Sequence, residues 1–197
     1  MPETPAVFLH FIMLIWLAWA AAWVALSRGV KPAVRHESRG SRLLHLAPLG
    51  LAIVLLVAGH ASGALLARDV LPPAAWMPPA GAAFTLLGLL FAGWARLVLG
   101  RNWSGTVTVK QDHELVRAGP YALARHPIYT GLLTALLGTA LAIDKWRAVA
   151  AFVIVTLSFL RKLRTEEAFM RAQFGAAYDA YRAEVPALVP RLWARSD

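Results

Sequence analysis

The chain has 197 residues, 58% of them hydrophobic, and carries a formal net charge of +9 from 20 Lys and Arg against 11 Asp and Glu. Its apolar residues lie in long blocks and not at the dispersed spacing of a soluble amphipathic fold, which points to a membrane protein. Cysteine is absent, which excludes a disulfide framework, a thiolate nucleophile and a cysteine-ligated metal. No metal is expected, and without an aromatic-basic groove module the positive charge does not point to a nucleic acid.

From Ala6 to Leu26 the one ionisable side chain is His10, and about 20 apolar residues at 1.5 Å each match a hydrocarbon core of roughly 30 Å. Ala20 to Ala22 could imitate a signal-peptide cleavage site. The charge order opposes that, since Glu3 precedes the block while Arg28 and Lys31 follow it. Leu43–Ala67 and Ala80–Leu99 are read as the second and third spans, giving three membrane helices in residues 1–99. Gly59 and Gly63, Gly88 and Ala92, and Gly131 and Ala135 are small-xxx-small pairs, read as packing faces within one chain or between two.

Thr106 to Val109 alternates like a short strand. Gly119-Pro120 predicts a turn, and Pro127 suits the first position of a fourth helix. Ile128–Ile143 and Ala148–Leu160 then form a helical hairpin with Asp144, Lys145 and Arg147 at its tip. After Leu163 the pattern turns amphipathic, with Met170, Phe174, Ala177, Tyr178 and Tyr181 on one face. This predicts a surface helix broken or bent near Gly175 and ended by Val185-Pro186.

The charged connections alternate. Arg28, Lys31, Arg35, Arg39 and Arg42 follow the first span, whereas the next connection holds Arg68 and Asp69. The segment from Arg101 to Arg125 and the tail after Arg161 are basic again. The positive-inside rule then puts the N-terminus outside and the C-terminus in the cytoplasm, as in a bacterial inner membrane, with the basic faces against anionic lipid. The expected fold is an all-α polytopic membrane bundle of about five transmembrane helices with a C-terminal cytoplasmic amphipathic helix. Residues 1–197 form a single domain, with the chemistry in 100–197.

Two segments concentrate polar residues. Arg125 and His126 stand directly before the proline-started helix, where free backbone N–H groups could receive an anion such as a carboxylate; a bland alternative is that both side chains reach for headgroups. Glu166 and Glu167 follow the last span, where the helix dipole explains one first-turn acid but not two, and a cationic ligand would account for the other.

Taken together, His113, Leu115-Val116, Gly119, Tyr121, Arg125-His126-Pro127, Tyr129 and Gly131 carry a resemblance across roughly the last 95 residues. It continues, after the hairpin, with Glu166-Glu167, Phe174-Gly175, Tyr178, Tyr181, Val185-Pro186 and Pro190. In order and spacing this half resembles the isoprenylcysteine carboxyl methyltransferase family, and Asn102-Trp103-Ser104 resembles its bacterial branch. Lys162 stands where that family often has arginine.

The resemblance implies S-adenosyl-L-methionine as methyl donor and an amphipathic, lipid-like or prenylated carboxylate as acceptor, entering sideways between helices. It implies donor binding by His113, Leu115, Val116, Gly119, Tyr121, His126, Pro127, Tyr129, Glu166 and Tyr178. Glu167 would pair with the donor, and Arg125 would orient the acceptor carboxylate or brace the pocket. Rival readings are a phospholipid N-methyltransferase, a sterol-type membrane reductase and a non-catalytic scaffold. The reductase would need NADPH, and no Gly-rich dinucleotide loop is present.

Overall fold

The computed structural model describes residues 4–28, 33–36, 39–103, 108–110 and 114–190. Six α-helices run through them: α1 (Thr4–Leu26), α2 (Arg39–Val57), α3 (Met77–Leu99), α4 (Pro127–Ile143), α5 (Trp146–Phe174) and α6 (Ala176–Glu184). Ala6–Leu26 and Met77–Asn102 are long and apolar enough to cross a membrane, while Leu43–Val57 and Pro127–Ile143 are shorter apolar helices. A short antiparallel ribbon, β1 (Ala33–His36) with β2 (Thr108–Lys110), adds the one departure from an all-helical chain among the described residues. It overlaps the alternating stretch read as a strand, of which Thr106 and Val107 lie outside the described residues.

Glycine sets two of the boundaries. The second apolar block does not continue to Ala67, because α2 stops at Val57 and Gly59 takes φ +52°, a left-handed conformation suited to ending a helix. Gly63 is likewise at φ +91°, and a Cβ on either residue would meet nothing within 4 Å, so the expected packing face in helix two is absent. The other two pairs face each other within the chain. A Cβ on Gly88 would lie 2.4 Å from the Ala135 nitrogen, and one on Gly131 would lie 2.5 Å from the Gly88 carbonyl oxygen. Gly81 and Gly138 repeat this two turns further along, so α3 and α4 touch backbone to backbone. Thr85, inside the seam, has the carbonyls of Gly81 at 2.8 Å and Ala135 at 3.1 Å as acceptors for its one hydroxyl proton.

The hairpin expectation holds at its tip. Asp144 adopts φ 46° and its N–H bonds the Ala140 carbonyl at 2.9 Å, closing α4 before α5 begins. Beyond the tip the sequence reading needs correcting. The helix that starts at Trp146 does not end near Leu160 to let a separate amphipathic helix begin. It runs unbroken for 29 residues to Phe174, and Gly175 at φ 52° separates it from α6. Glu166 and Glu167 are therefore mid-helix, and the first-turn capping reading does not apply to either.

Successive helices reverse direction, so the start of α4, the end of α3 and the C-terminal part of α5 share one end, called here the site end. At the opposite, far end the α2–α3 connection crosses the hairpin tip. Lys145 pairs with Asp69, the Leu71 N–H bonds Asp144 at 3.1 Å, and the Trp146 and Arg147 N–H groups reach the Arg68 and Leu66 carbonyls at 3.2 and 3.0 Å. Helix α2 packs on α5 through Ala52, Ala151, Val155 and Phe159, and α1 packs on α3 and α4 through Ile12, Ala82 and Ala142.

Candidate active site

Local sequence brings the polar residues together. Gly119, at φ +59°, packs against Trp94 and Val98 and lets Gly119–Ala122 coil tightly, which turns Tyr121 inward. Pro127 then starts α4 with its fixed φ and no N–H to lose. Arg125 and His126, just ahead of it, do not leave their N–H groups free for an anion as expected. Those groups bond the carbonyls of Pro186 at 2.9 Å and Ala187 at 3.0 Å, and Thr130 Oγ1 donates to the Leu188 carbonyl. The chain after α6 thus runs as a strap across the start of α4.

Beneath this strap the two predicted segments meet. Arg125 Nε donates to Glu167 Oε1 at 2.9 Å and its Nη2 to the same oxygen at 2.6 Å, while Nη1 donates to the Arg182 and Val185 carbonyls. Arg182 Nε lies 3.3 Å from Glu167 Oε2. Tyr129 donates to Glu166 Oε1 at 2.6 Å, and Lys162 Nζ is 3.8 Å from that oxygen. Between the acids sits His126, with Nδ1 3.6 Å from Glu166 and Nε2 3.4 Å from Glu167. Its Nε2 is buried without a properly directed hydrogen bond. The ring stacks on Tyr129 with 5° between planes, and Tyr129 stacks on Phe159 with centroids 4.7 Å apart, so an aromatic wall leads from the polar cluster into the apolar interior.

Burial opposes charge on all three central groups, and the partners outweigh it. His126 is shifted down by burial, but its hydrogen bonds and attraction to Glu166 and Glu167 carry its pKa above the ordinary value of 6.5. Burial pushes Glu166 up, but His126, Lys162 and Tyr129 hold its carboxyl below the usual range; His126 and Arg125 do the same for Glu167. Burial and the Glu167 charge raise the Tyr178 hydroxyl, burial and neighbouring charge raise Tyr121, and burial raises Tyr181 to about 12. Tyr181 donates to the Tyr121 carbonyl at 2.6 Å.

One cavity of about 980 Å³ carries the cluster in its wall and continues between α1, α2, α4 and α5 as far as Ile143 and Arg147. Such a volume is at the upper end of the roughly 300–1,000 Å³ of small-molecule sites. Leu115, Val116, Tyr121, Arg125, His126, Pro127, Tyr129, Glu166 and Tyr178 all line it. Gly119 does not and serves as the turn, while Glu167 stands behind the wall and holds Arg125, His126 and Arg182. His113 lies outside the described residues. Sequence reasoning passed over Gln173, Met170 and Tyr181 on the same wall, although Met170 and Tyr181 belong to the amphipathic face already visible in the spacing. It also passed over Arg182, whose ion pair with Glu167 has no local signal in the sequence.

Residues 81–172 match the isoprenylcysteine carboxyl methyltransferase (ICMT) family. Among curated proteins, the protein-S-isoprenylcysteine O-methyltransferase of Schizosaccharomyces pombe is 34% identical over 110 residues, covering 54% of this chain and 47% of that protein. Protein-S-isoprenylcysteine O-methyltransferase B of Arabidopsis thaliana is 30% identical over 118 residues, covering 58% and 60%. The chain thus spans about half the length of the curated relatives it matches. Among solved structures, the eukaryotic intramembrane Ras methyltransferase ICMT superposes with a TM-score of 0.55 at 24% identity, over 80% of this chain and 54% of that one, a likeness of fold. Residues 81–172 are thus similar in sequence to the isoprenylcysteine carboxyl methyltransferase family, and most of the chain shares the fold of that solved methyltransferase.

Proposed function

We propose that the protein is an integral membrane enzyme that transfers the methyl group of S-adenosylmethionine to the carboxylate of a lipidic or prenylated acceptor. One observation carries this reading. The polar turn before α4 meets the acidic pair of α5, and Glu166 of that pair lies in the wall of a single cavity that continues as an apolar trough. A water-soluble charged donor and a hydrocarbon tail could thus reach the same point from opposite directions. Five membrane helices, α1 to α4 and the first half of α5, would put the site end and α6 on the basic, cytoplasmic face of a bacterial inner membrane.

The residues present fit such a donor. Glu166 is held ionised in the cavity wall, and Tyr121, Tyr178 and the His126–Tyr129 stack offer faces and hydroxyls. When bound, S-adenosylmethionine supplies an electrophilic methyl on a sulfonium, which a carboxylate oxygen accepts without proton transfer. The protein's task is then alignment and exclusion of water more than acid-base chemistry. Arg125, engaged by Glu167 and two carbonyls, braces the strap to α5, whereas Lys162 presents positive charge where the aromatic wall meets the apolar trough. Glu167 holds the frame and Glu166 faces the ligand.

Purified protein in detergent, given methyl-labelled S-adenosylmethionine, should label N-acetyl-S-farnesylcysteine and leave phosphatidylethanolamine unlabelled. Labelling of the amine lipid alone would transfer the assignment to a phospholipid N-methyltransferase.

A further inference from the structure

The far end of the cavity has no part in the chemistry above, yet it is extensively built. Along α4 the lining runs from Tyr129 through Leu132, Leu136 and Thr139 to Ile143. That is about 21 Å of helix rise, more than the roughly 15 Å of one leaflet in a 30 Å hydrocarbon core. Sideways the trough is bordered by exposed faces of α1 and α2, with Met13 52% and Ile53 61% exposed. Lengthways its lining ends at Ile143 and Arg147. Arg147 lines its far end and donates to the carbonyls of Leu55 at 2.9 Å and Leu56, the last turn of α2, while its own N–H holds Leu66. Beneath, the Lys145–Asp69 pair and the Asp144 contact to Leu71 tie the crossing connection to the hairpin tip.

We infer that Ile143, Val57 and Arg147 form an end-stop that sets the longest acceptor chain the protein takes. A tail shorter than the trough leaves apolar wall uncovered and loses burial. One that overruns it must push methyl groups against a guanidinium and detach it from the carbonyls of the last turn of α2. The length preference should accordingly fall off sharply on the long side and gently on the short side. It should also favour a single chain reaching past the membrane midplane over the tail of an ordinary leaflet lipid.

This rests on the methyltransferase reading, and the test separates the two. Methyl transfer is measured for N-acetyl-S-isoprenylcysteines carrying two, three, four and five isoprene units. Wild type should rise to an optimum and then drop at least 10-fold in kcat/KM for the next unit. Ile143→Trp should move the optimum down by one unit, cutting the longest good acceptor about 10-fold while leaving the two-unit acceptor within twofold. Val57→Trp should do the same, and because Val57 is 76% exposed it leaves the packed core untouched should Ile143→Trp fail to fold. Turnover with an unchanged length profile in the folded variants overturns the end-stop. No turnover of any acceptor by wild type overturns the methyltransferase reading instead.

Discussion

The α3–α4 seam and the α1–α2 gap are built from the same apolar alphabet with opposite results. In the seam, glycine and alanine at four-residue spacing let two backbones approach until a single added carbon would overlap the neighbouring main chain. Across the gap, leucine, methionine and isoleucine keep the helices apart and leave their faces exposed. Apolar burial favours both arrangements alike, so residue size decides which surface becomes scaffold and which becomes cavity. The polar cluster sits where the two meet, anchored by α4 on the rigid side and open to the trough on the other.

The largest effect should come from breaking the polar joint. Glu167→Gln removes the charge facing Arg125 in a pair whose side chains are 9% and 13% exposed, and should cost about 3 kcal/mol of stability because it strands a buried cation. Thermal melting in detergent checks this, and methyl transfer should fall with it. Next, Gly88→Ala or Gly131→Ala should destabilise by about 1–3 kcal/mol through overpacking of the seam. Gly93→Ala, on the same helix with nothing within 4 Å, should be neutral or stabilise by about 0.5–1 kcal/mol. Equal losses at Gly88 and Gly93 would refute the seam.

A smaller effect is in pH. His126 is raised in the folded protein, so its contribution is fully present below 6.5 and is lost as pH rises through the higher folded value. Glu166 and Glu167 are lowered, so theirs is present above 4.5 and is lost as pH falls through the lower folded values. Melting temperature against pH should show a plateau with both limbs, and His126→Gln should flatten the alkaline limb. Smallest of all, Met13→Ala facing the gap should change stability by less than about 0.5 kcal/mol, since its side chain is already half exposed.

Much of this was legible from local chemistry. Pro127 announced the start of α4, Asp144 and Lys145 the hairpin tip, and two of the three small-residue pairs the seam. What was misread depended on partners distant in sequence or on backbone conformation. Gly59 looked like a packing residue because a left-handed φ is invisible in a hydropathy block. The change to an amphipathic pattern after Leu163 suggested a separate helix, although the Arg and Lys residues around that point propagate a helix as well as most residues do. The N–H groups ahead of α4 looked free because the carbonyls that take them, at Pro186 and Ala187, lie some 60 residues later. The cluster itself became legible through the family's motif order, while its inner arrangement, with Glu166 at the cavity and Glu167 behind, needed the fold.

On the proposed reading, one cationic, nucleoside-bearing donor binds between the start of α4 and the C-terminal part of α5. Calorimetric titration of the purified protein with S-adenosylmethionine, with NADPH as comparison, tests it most directly. The account predicts saturable one-to-one binding of S-adenosylmethionine that is lost in Glu166→Ala, and no heat with NADPH. Binding of NADPH in its place, or S-adenosylmethionine binding unchanged in that variant, would contradict it.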